Sequence, residues 1–242
     1  MPTFSIKYQT AENLSPPFAH AIELSGEIEQ NKELSLSFEL TYLGREQLSE
    51  EEITDEGFSM NDDFSWKGTL PDVWKDILFG NLKSTKPLRI QGLEPHQDFW
   101  QIEFESRPFY PSNADKLFYL IEEIQQAVFE KAERELPLNL TFFKNQADDI
   151  KEVNIKASFV ERRLEIIRKN PDETISKISV LPWEELNFIL KNTYSGDFLA
   201  ELAFAKRPSH KGTFVNIGDD LWYEVGKSLL IEAYKIQKIM KL

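Results

Sequence analysis

Leu34-Ser35-Leu36-Ser37-Phe38-Glu39-Leu40-Thr41-Tyr42 alternates apolar and polar side chains without a break. Period two puts Leu34, Leu36, Phe38, Leu40 and Tyr42 on one face of an extended strand and Ser35, Ser37, Glu39 and Thr41 on the other. One buried face and one wet face predict an antiparallel sheet. Just upstream, His20, Ile22 and Leu24 share a face, and Gln30-Asn31-Lys32 can turn the chain. Residues 20–43 therefore read as a long hairpin, with Gly26 as a candidate bulge.

The same alternation recurs on both sides. Phe4 to Tyr8 is a weaker strand pattern, and Phe64 to Lys67 another. Pro71 opens a helix whose stripe is Val73, Trp74, Ile77 and Leu78, with Gly80 as its stop. Leu88 to Leu93 and Phe99 to Ser106 read as a second hairpin, with Trp100, Ile102 and Phe104 facing one way. After Pro108 and Pro111, Ser112 or Asn113 can cap a long helix to about Arg134, buried through Leu117, Leu120, Ile121, Ile124 and Val128. Pro137 ends it.

Beyond Pro137, Leu138, Leu140 and Phe142 alternate, as do Val153, Ile155, Ala157 and Phe159. Residues 159–169 carry two signals. Ser158 with Glu161 suggests a capping box, and Asn170-Pro171-Asp172-Glu173 suggests the turn of a hairpin. The hairpin is the preferred reading. Pro182 starts a short helix with Trp183, Leu186 and Ile189 inward. Phe198 to Lys206 reads as a strand, as does Thr213 to Ile217. Asp219 or Asp220 then caps a final helix with the stripe Trp222, Val225, Leu229, Ala233, Ile236 and Met240. Amphipathic helices on one face of antiparallel sheets define the α+β class. Pro137 is the best seam, giving halves 1–137 and 138–242, either as two units or as one continuous domain.

The halves echo each other. Leu70-Pro71 corresponds to Leu181-Pro182, and Arg107-Pro108 to Arg207-Pro208. Asp115, Leu117, Phe118, Tyr119 and Ile121 correspond to Asp219, Leu221, Trp222, Tyr223 and Val225. The offset differs among these pairs, so an internal duplication requires length changes between elements, where they cost little. Alternating strands and helices also produce such likeness by patterning alone.

Composition narrows the function classes. The chain has 242 residues, 41% hydrophobic and 29% charged, with 18 Phe, 7 Tyr and 5 Trp, enough to fill a substantial core. The absence of Cys excludes disulfides, thiolate metal sites and cysteine nucleophiles. No signal peptide or membrane span is legible, which predicts a cytoplasmic protein. A net charge of −13 disfavours nucleic acid and favours a basic partner.

No Gly-rich phosphate loop, zinc-binding His pair or nucleophile elbow occurs. His20 lies on an apolar strand face, and His96 and His210 fall in turns. The acidic charge concentrates at residues 46–63, read as a surface loop with one helical turn at 49–54. Its spacing does not build a cation loop. The basic turn Lys206-Arg207-Pro208-Ser209-His210-Lys211 stands alone in an acidic chain, and Arg207 can fork onto a carboxylate or phosphate. At the two aromatic pairs, Phe118-Tyr119 and Trp222-Tyr223, one ring is expected in the core and the other can rim a groove between the halves, with core packing the preferred reading.

These features predict a non-enzymatic protein-binding module, of inhibitor or immunity type, that meets a basic protein. The expected contacts are Glu50, Glu51, Glu52, Asp55 and Glu56, with Arg107, Lys206, Arg207 and Lys211 as further binding candidates. No catalytic residue, metal or cofactor is assigned. The alternatives are a hydrolase using carboxylates in a cleft between the halves, or a small-molecule binder whose Arg207 holds an anionic group.

Overall fold

The computed structural model describes residues 3–27, 33–89, 92–105, 107–146, 149–169 and 176–242. The predicted turns at Gln30-Asn31-Lys32 and Asn170-Pro171-Asp172-Glu173 lie outside the described residues. Chain contacts divide the protein into two units, Met1–Glu135 and Leu136–Leu242. The class is α+β, built from antiparallel sheets and helices. Among the described residues no helix is long and apolar enough to cross a membrane.

The first unit runs β1 (Thr3–Gln9), β2 (His20–Glu27), β3 (Leu34–Tyr42), α1 (Glu50–Asp55), β4 (Phe64–Leu70), α2 (Asp72–Ser84), β5 (Pro87–Leu88), β6 (Phe99–Phe104), β7 (Tyr110–Pro111) and α3 (Ala114–Lys131). Five strands form one sheet in the order β4-β3-β2-β1-β6, and β5 pairs with β7. Period-two patterning sets the register. Trp66, Phe38, Leu24, Ile6 and Ile102 lie in one cross-strand row, and Phe64, Leu40, Ile22, Tyr8 and Trp100 in the next. α2 buries Trp74, Leu78 and Leu82 and contacts β3, while α3 buries its predicted stripe and contacts β4. Gly26 marks no bulge, because pairing runs regularly from Phe4 through Gly26 to Leu36. Glycine is needed there because a Cβ would meet the Ser35 carbonyl at 2.2 Å.

The second unit runs β8 (Leu138–Gln146), β9 (Asp149–Ser158), β10 (Arg163–Lys169), β11 (Lys177–Leu181), α4 (Glu185–Thr193), β12 (Asp197–Phe198), β13 (Gly212–Asn216), β14 (Tyr223–Glu224), β15 (Leu229–Leu230) and α5 (Ala233–Ile239). Its sheet order is β11-β10-β9-β8-β13-β14, and β12 pairs with β15. The core gathers Phe142, Val153, Ile155, Leu164 and Ile166 from the sheet with Leu186, Ile189, Ile236 and Ile239 from α4 and α5.

Both units follow one connectivity. Four strands meander, a helix follows the fourth, a later strand returns beside the first, a two-residue pair forms alongside, and a helix closes the unit. Leu70-Pro71 and Leu181-Pro182 stand at the same point of this path, between the fourth strand and its helix. The other paired anchors do not coincide. Arg107-Pro108 follows β6, whereas Arg207-Pro208 precedes β13; Asp115 opens α3, whereas Asp219 sits in a turn between two strands.

Several local expectations are corrected. The final helix does not begin near Asp219. Asp220, Gly218 and Gly226 adopt positive φ, Tyr223 pairs with Val215, and only Ala233–Ile239 is helical. The helical spacing of Trp222, Val225 and Leu229 is therefore coincidental. Phe198 to Lys206 is not a strand. The pairing of β12 ends at Phe198, a 3-10 turn covers Ala200–Leu202, Phe204 makes only a single bridge to Trp222, and Leu202 and Phe204 remain exposed. Residues 90, 91 and 106 of the predicted second hairpin lie outside the described residues; of the rest, Leu88 pairs with Tyr110 rather than with β6. β6 joins β1 instead, where Tyr8 and Ile6 complete its buried row, while Leu88 and Leu93 lie in solvent. α2 passes through Gly80 to Ser84, because Leu82 continues the stripe of Trp74 and Leu78. The preferred hairpin reading of residues 159–169 stands: Arg163–Lys169 is strand and pairs with Lys177–Leu181, and the Glu161 N–H donates to Ser158 Oγ at 3.2 Å within the preceding turn.

Candidate functional site

The acidic segment is organised around Arg45, which lies in a single 3-10 turn (Arg45–Gln47) and is 7% exposed. Its Nη1 donates to the Ser59 carbonyl at 2.6 Å and to Asp62 Oδ2 at 2.9 Å. The guanidinium also stacks 3.7 Å over Tyr42 and 4.8 Å from the Phe58 ring. Burial works to raise the Asp62 carboxyl. Hydrogen bonds from the Ser59 hydroxyl and N–H, and then Arg45, outweigh it and hold Asp62 below the usual carboxylate range.

α1 is fixed by a complete capping box. Ser49 Oγ accepts the Glu52 N–H, and the Glu52 carboxylate accepts the Ser49 N–H at 2.8 Å. That backbone bond, then the Ser49 hydroxyl, lowers the Glu52 carboxyl. Ile53 is fully buried and anchors the helix from below. Glu50, Glu51, Asp55 and Glu56 are exposed, and among the described residues no cation pairs with them. α1 and its C-cap residue Glu56 thus collect all five predicted acidic contacts, counting Glu52, whose carboxylate is turned back onto its own cap.

The basic turn is held down by its own unit. Arg207 stacks 3.8 Å over Phe143 and pairs with Glu152 at 2.7 Å. Glu152 also pairs with Lys169 at 3.1 Å. Asn145 Nδ2 donates to the carbonyls of Ser209 and His210. His210 Nε2 lies 3.2 Å from Glu224 Oε2, and Lys227 Nζ 2.8 Å from Glu224 Oε1. Burial opposes ionisation of Glu224, and these two partners outweigh it, lowering its carboxyl. Lys206 and Lys211 are exposed on this turn, and Arg107 is exposed in the first unit between β6 and β7.

A third feature was not assembled from sequence. Asp98 and Trp100 of the β6 end, Tyr110 of β7, and Asp115, Phe118 and Tyr119 of α3 line one open recess of about 270 Å³. Tyr8 touches both Trp100 and Phe118, with ring centroids 4.8 and 5.3 Å away, and Phe118 meets Tyr119 at 6.3 Å. An aromatic run thus leads from the core to Tyr119, which is 65% exposed. Asp98 Oδ1 accepts the Ala11 N–H at 2.8 Å, Asp98 Oδ2 accepts the Tyr8 hydroxyl at 3.3 Å, and the Tyr110 hydroxyl donates to the Asp98 carbonyl at 3.2 Å. Burial, then the charges of Asp98 and Asp115, raise the Tyr110 phenol, so both carboxylates bear on one point. The Phe118-Tyr119 pair was the available sequence signal. Trp100 read only as core, and Asp115 only as a repeat anchor.

Among the described residues no group of three or more His, Asp or Glu is arranged to hold a metal ion. Burial of part of its side chain raises the Glu122 carboxyl, yet Glu122 does not line the recess. Comparison with protein families, curated proteins and solved structures finds no match for the chain.

Proposed function

We propose that the protein is a non-enzymatic binding module, of inhibitor or immunity type, that engages a basic protein through α1. One observation supports this reading above others. Four carboxylates, Glu50, Glu51, Asp55 and Glu56, stand exposed and uncompensated on a helix already fixed by its cap, by Ile53 and by the Arg45 hub. Such a helix loses little conformational freedom on binding, so less of the interaction energy is spent on ordering. Its charge, within a chain of net charge −13, speeds encounter with a cationic surface and repels acidic ones.

The test is affinity capture from native lysate at low salt, with the wild type beside a variant carrying E50Q, E51Q, D55N and E56Q. Glu52 is left intact to preserve the cap. A stoichiometric basic partner that elutes with salt and is not retained by the variant supports the reading. A partner retained equally by both chains sinks it.

A further inference from the structure

Among the described residues, Arg45, Arg207 and Arg134 each lie on aromatic rings beside a carboxylate. Arg45 lies over Tyr42 with Asp62 at 2.9 Å. Arg207 lies over Phe143 with Glu152 at 2.7 Å. Arg134 lies 4.9 and 5.0 Å from Phe64 and Phe129, with Asp62 at 4.0 Å. The recess at the head of α3 has the same components: the rings of Trp100, Tyr110, Phe118 and Tyr119, and the carboxylates of Asp98 and Asp115. It differs in one respect. Among the described residues no Arg or Lys forms an ion pair with Asp98 or Asp115.

We infer that this recess is a receptor site for a guanidinium group brought by a ligand. The ring faces supply the negative side of their quadrupoles, and the two carboxylates supply the counter-charge. A planar guanidinium stacks and bonds at its edge together, which a compact ammonium does not. A volume of about 270 Å³ falls just below the roughly 300–1,000 Å³ of sites that enclose a drug-sized ligand, and suits the end of one side chain. A hard cation is a poor occupant. The oxygens of Asp98 already accept the Ala11 N–H and the Tyr8 hydroxyl, and beyond it the lining offers only Asp115 and the Gln97 amide as side-chain oxygen ligands besides the phenols, against four rings and Ala114, well short of the roughly six to eight oxygens such an ion takes. The guanidinium can come from a free arginine-like molecule or from an arginine side chain within a peptide.

The site does not involve α1, so this inference and the proposed partner binding fail separately. The test is calorimetry and heteronuclear NMR of the full chain with Nα-acetyl-arginine methylamide, free arginine, and Nα-acetyl-citrulline methylamide as the uncharged isostere. The capped arginine is expected to shift the Trp100 indole and Asp115 amide signals and to bind about tenfold more tightly than the citrulline compound. Asp115→Asn and Tyr119→Ala, both at exposed positions, weaken it several-fold by about the same mechanism, while E50Q does not. Tighter binding of free arginine identifies a small-molecule ligand, and equal or tighter binding of the capped form identifies a peptide. Equal affinity for arginine and citrulline, no binding by either, or indifference to Asp115→Asn overturns the inference.

Discussion

The guanidinium of Arg45 lies 3.7 Å over the ring of Tyr42. This contact ties the end of β3 to the loop that carries α1, because the same guanidinium holds the Ser59 carbonyl and Asp62. Removing it leaves the Ser59 carbonyl without that donor, and leaves the largely enclosed Asp62 carboxylate with its Ser59 hydrogen bonds but without its close counter-charge. Arg45→Ala is expected to lower stability by about 3 kcal/mol or more, the usual cost of breaking a buried pair from one side. Arg45→Lys keeps the charge, loses the stacking and falls between the two. Urea unfolding monitored by circular dichroism measures both.

Asp62 makes the same region sensitive to acid. Its folded-state carboxyl is held below the usual range, so its stabilising contribution is complete above the unfolded value of about 3.9 and is lost as pH falls through the lower folded value. Asp62→Asn removes that dependence. The urea midpoint of the variant is expected to fall less between about pH 5 and pH 3 than that of the wild type. Equal acid sensitivity in the two chains would show that Asp62 is not the group responsible.

Two glycines predict opposite signs. Gly80 lies on the exposed side of α2, and a Cβ there meets nothing within 4 Å. Gly80→Ala is expected to stabilise by about 0.5–1 kcal/mol, since alanine has less backbone freedom to lose. Gly26→Ala drives a methyl into the Ser35 carbonyl and separates β2 from β3, costing about 2 kcal/mol or more. Thermal melts of the two variants, shifted in opposite directions, check the pair.

The first sheet was legible because alternation and burial agree. Every apolar residue of Leu34–Tyr42 up to Leu40 is buried, and the partner strands carry the same period. Pairing partners were less legible, since β6 matches β1 through residues ninety or more positions apart in the chain. The last helix was misread because Trp222, Val225 and Leu229 satisfy a helical period that the positive-φ turns at Asp220 and Gly226 forbid. At the candidate sites, the carboxylates of α1 lie close in sequence and could be read together. Arg45 could not be distinguished from a solvated arginine in an acidic run. The recess draws on β6, β7 and α3: the Ile102–Phe109 bridge holds the β7 segment to β6, and Tyr8 of β1 packs on both Trp100 and Phe118, contacts between residues far apart in sequence.

The second unit provides a test at the alkaline end. The Tyr223 hydroxyl donates to Asp219 Oδ2 at 2.5 Å, its ring is buried, and the Phe198 ring meets it edge-on at 4.9 Å. Burial first, then the hydrogen bond and charge of Asp219, push the phenol up to about 12. Because the folded value lies above the unfolded one of about 10, the fold favours the neutral phenol. That stabilisation is complete below pH 10 and is lost as pH rises toward about 12. Tyr223→Phe deletes the hydrogen bond at a cost of about 1 kcal/mol, kept modest because Asp219 is exposed and regains water. Absorbance titration at 295 nm separates the residue from the other raised tyrosines. The wild-type minus Tyr223→Phe difference is expected to show one phenol ionising near 12, and in Asp219→Asn that step moves down toward 10. A difference curve that already titrates at the ordinary tyrosine value would show that the Asp219 contact does not govern Tyr223.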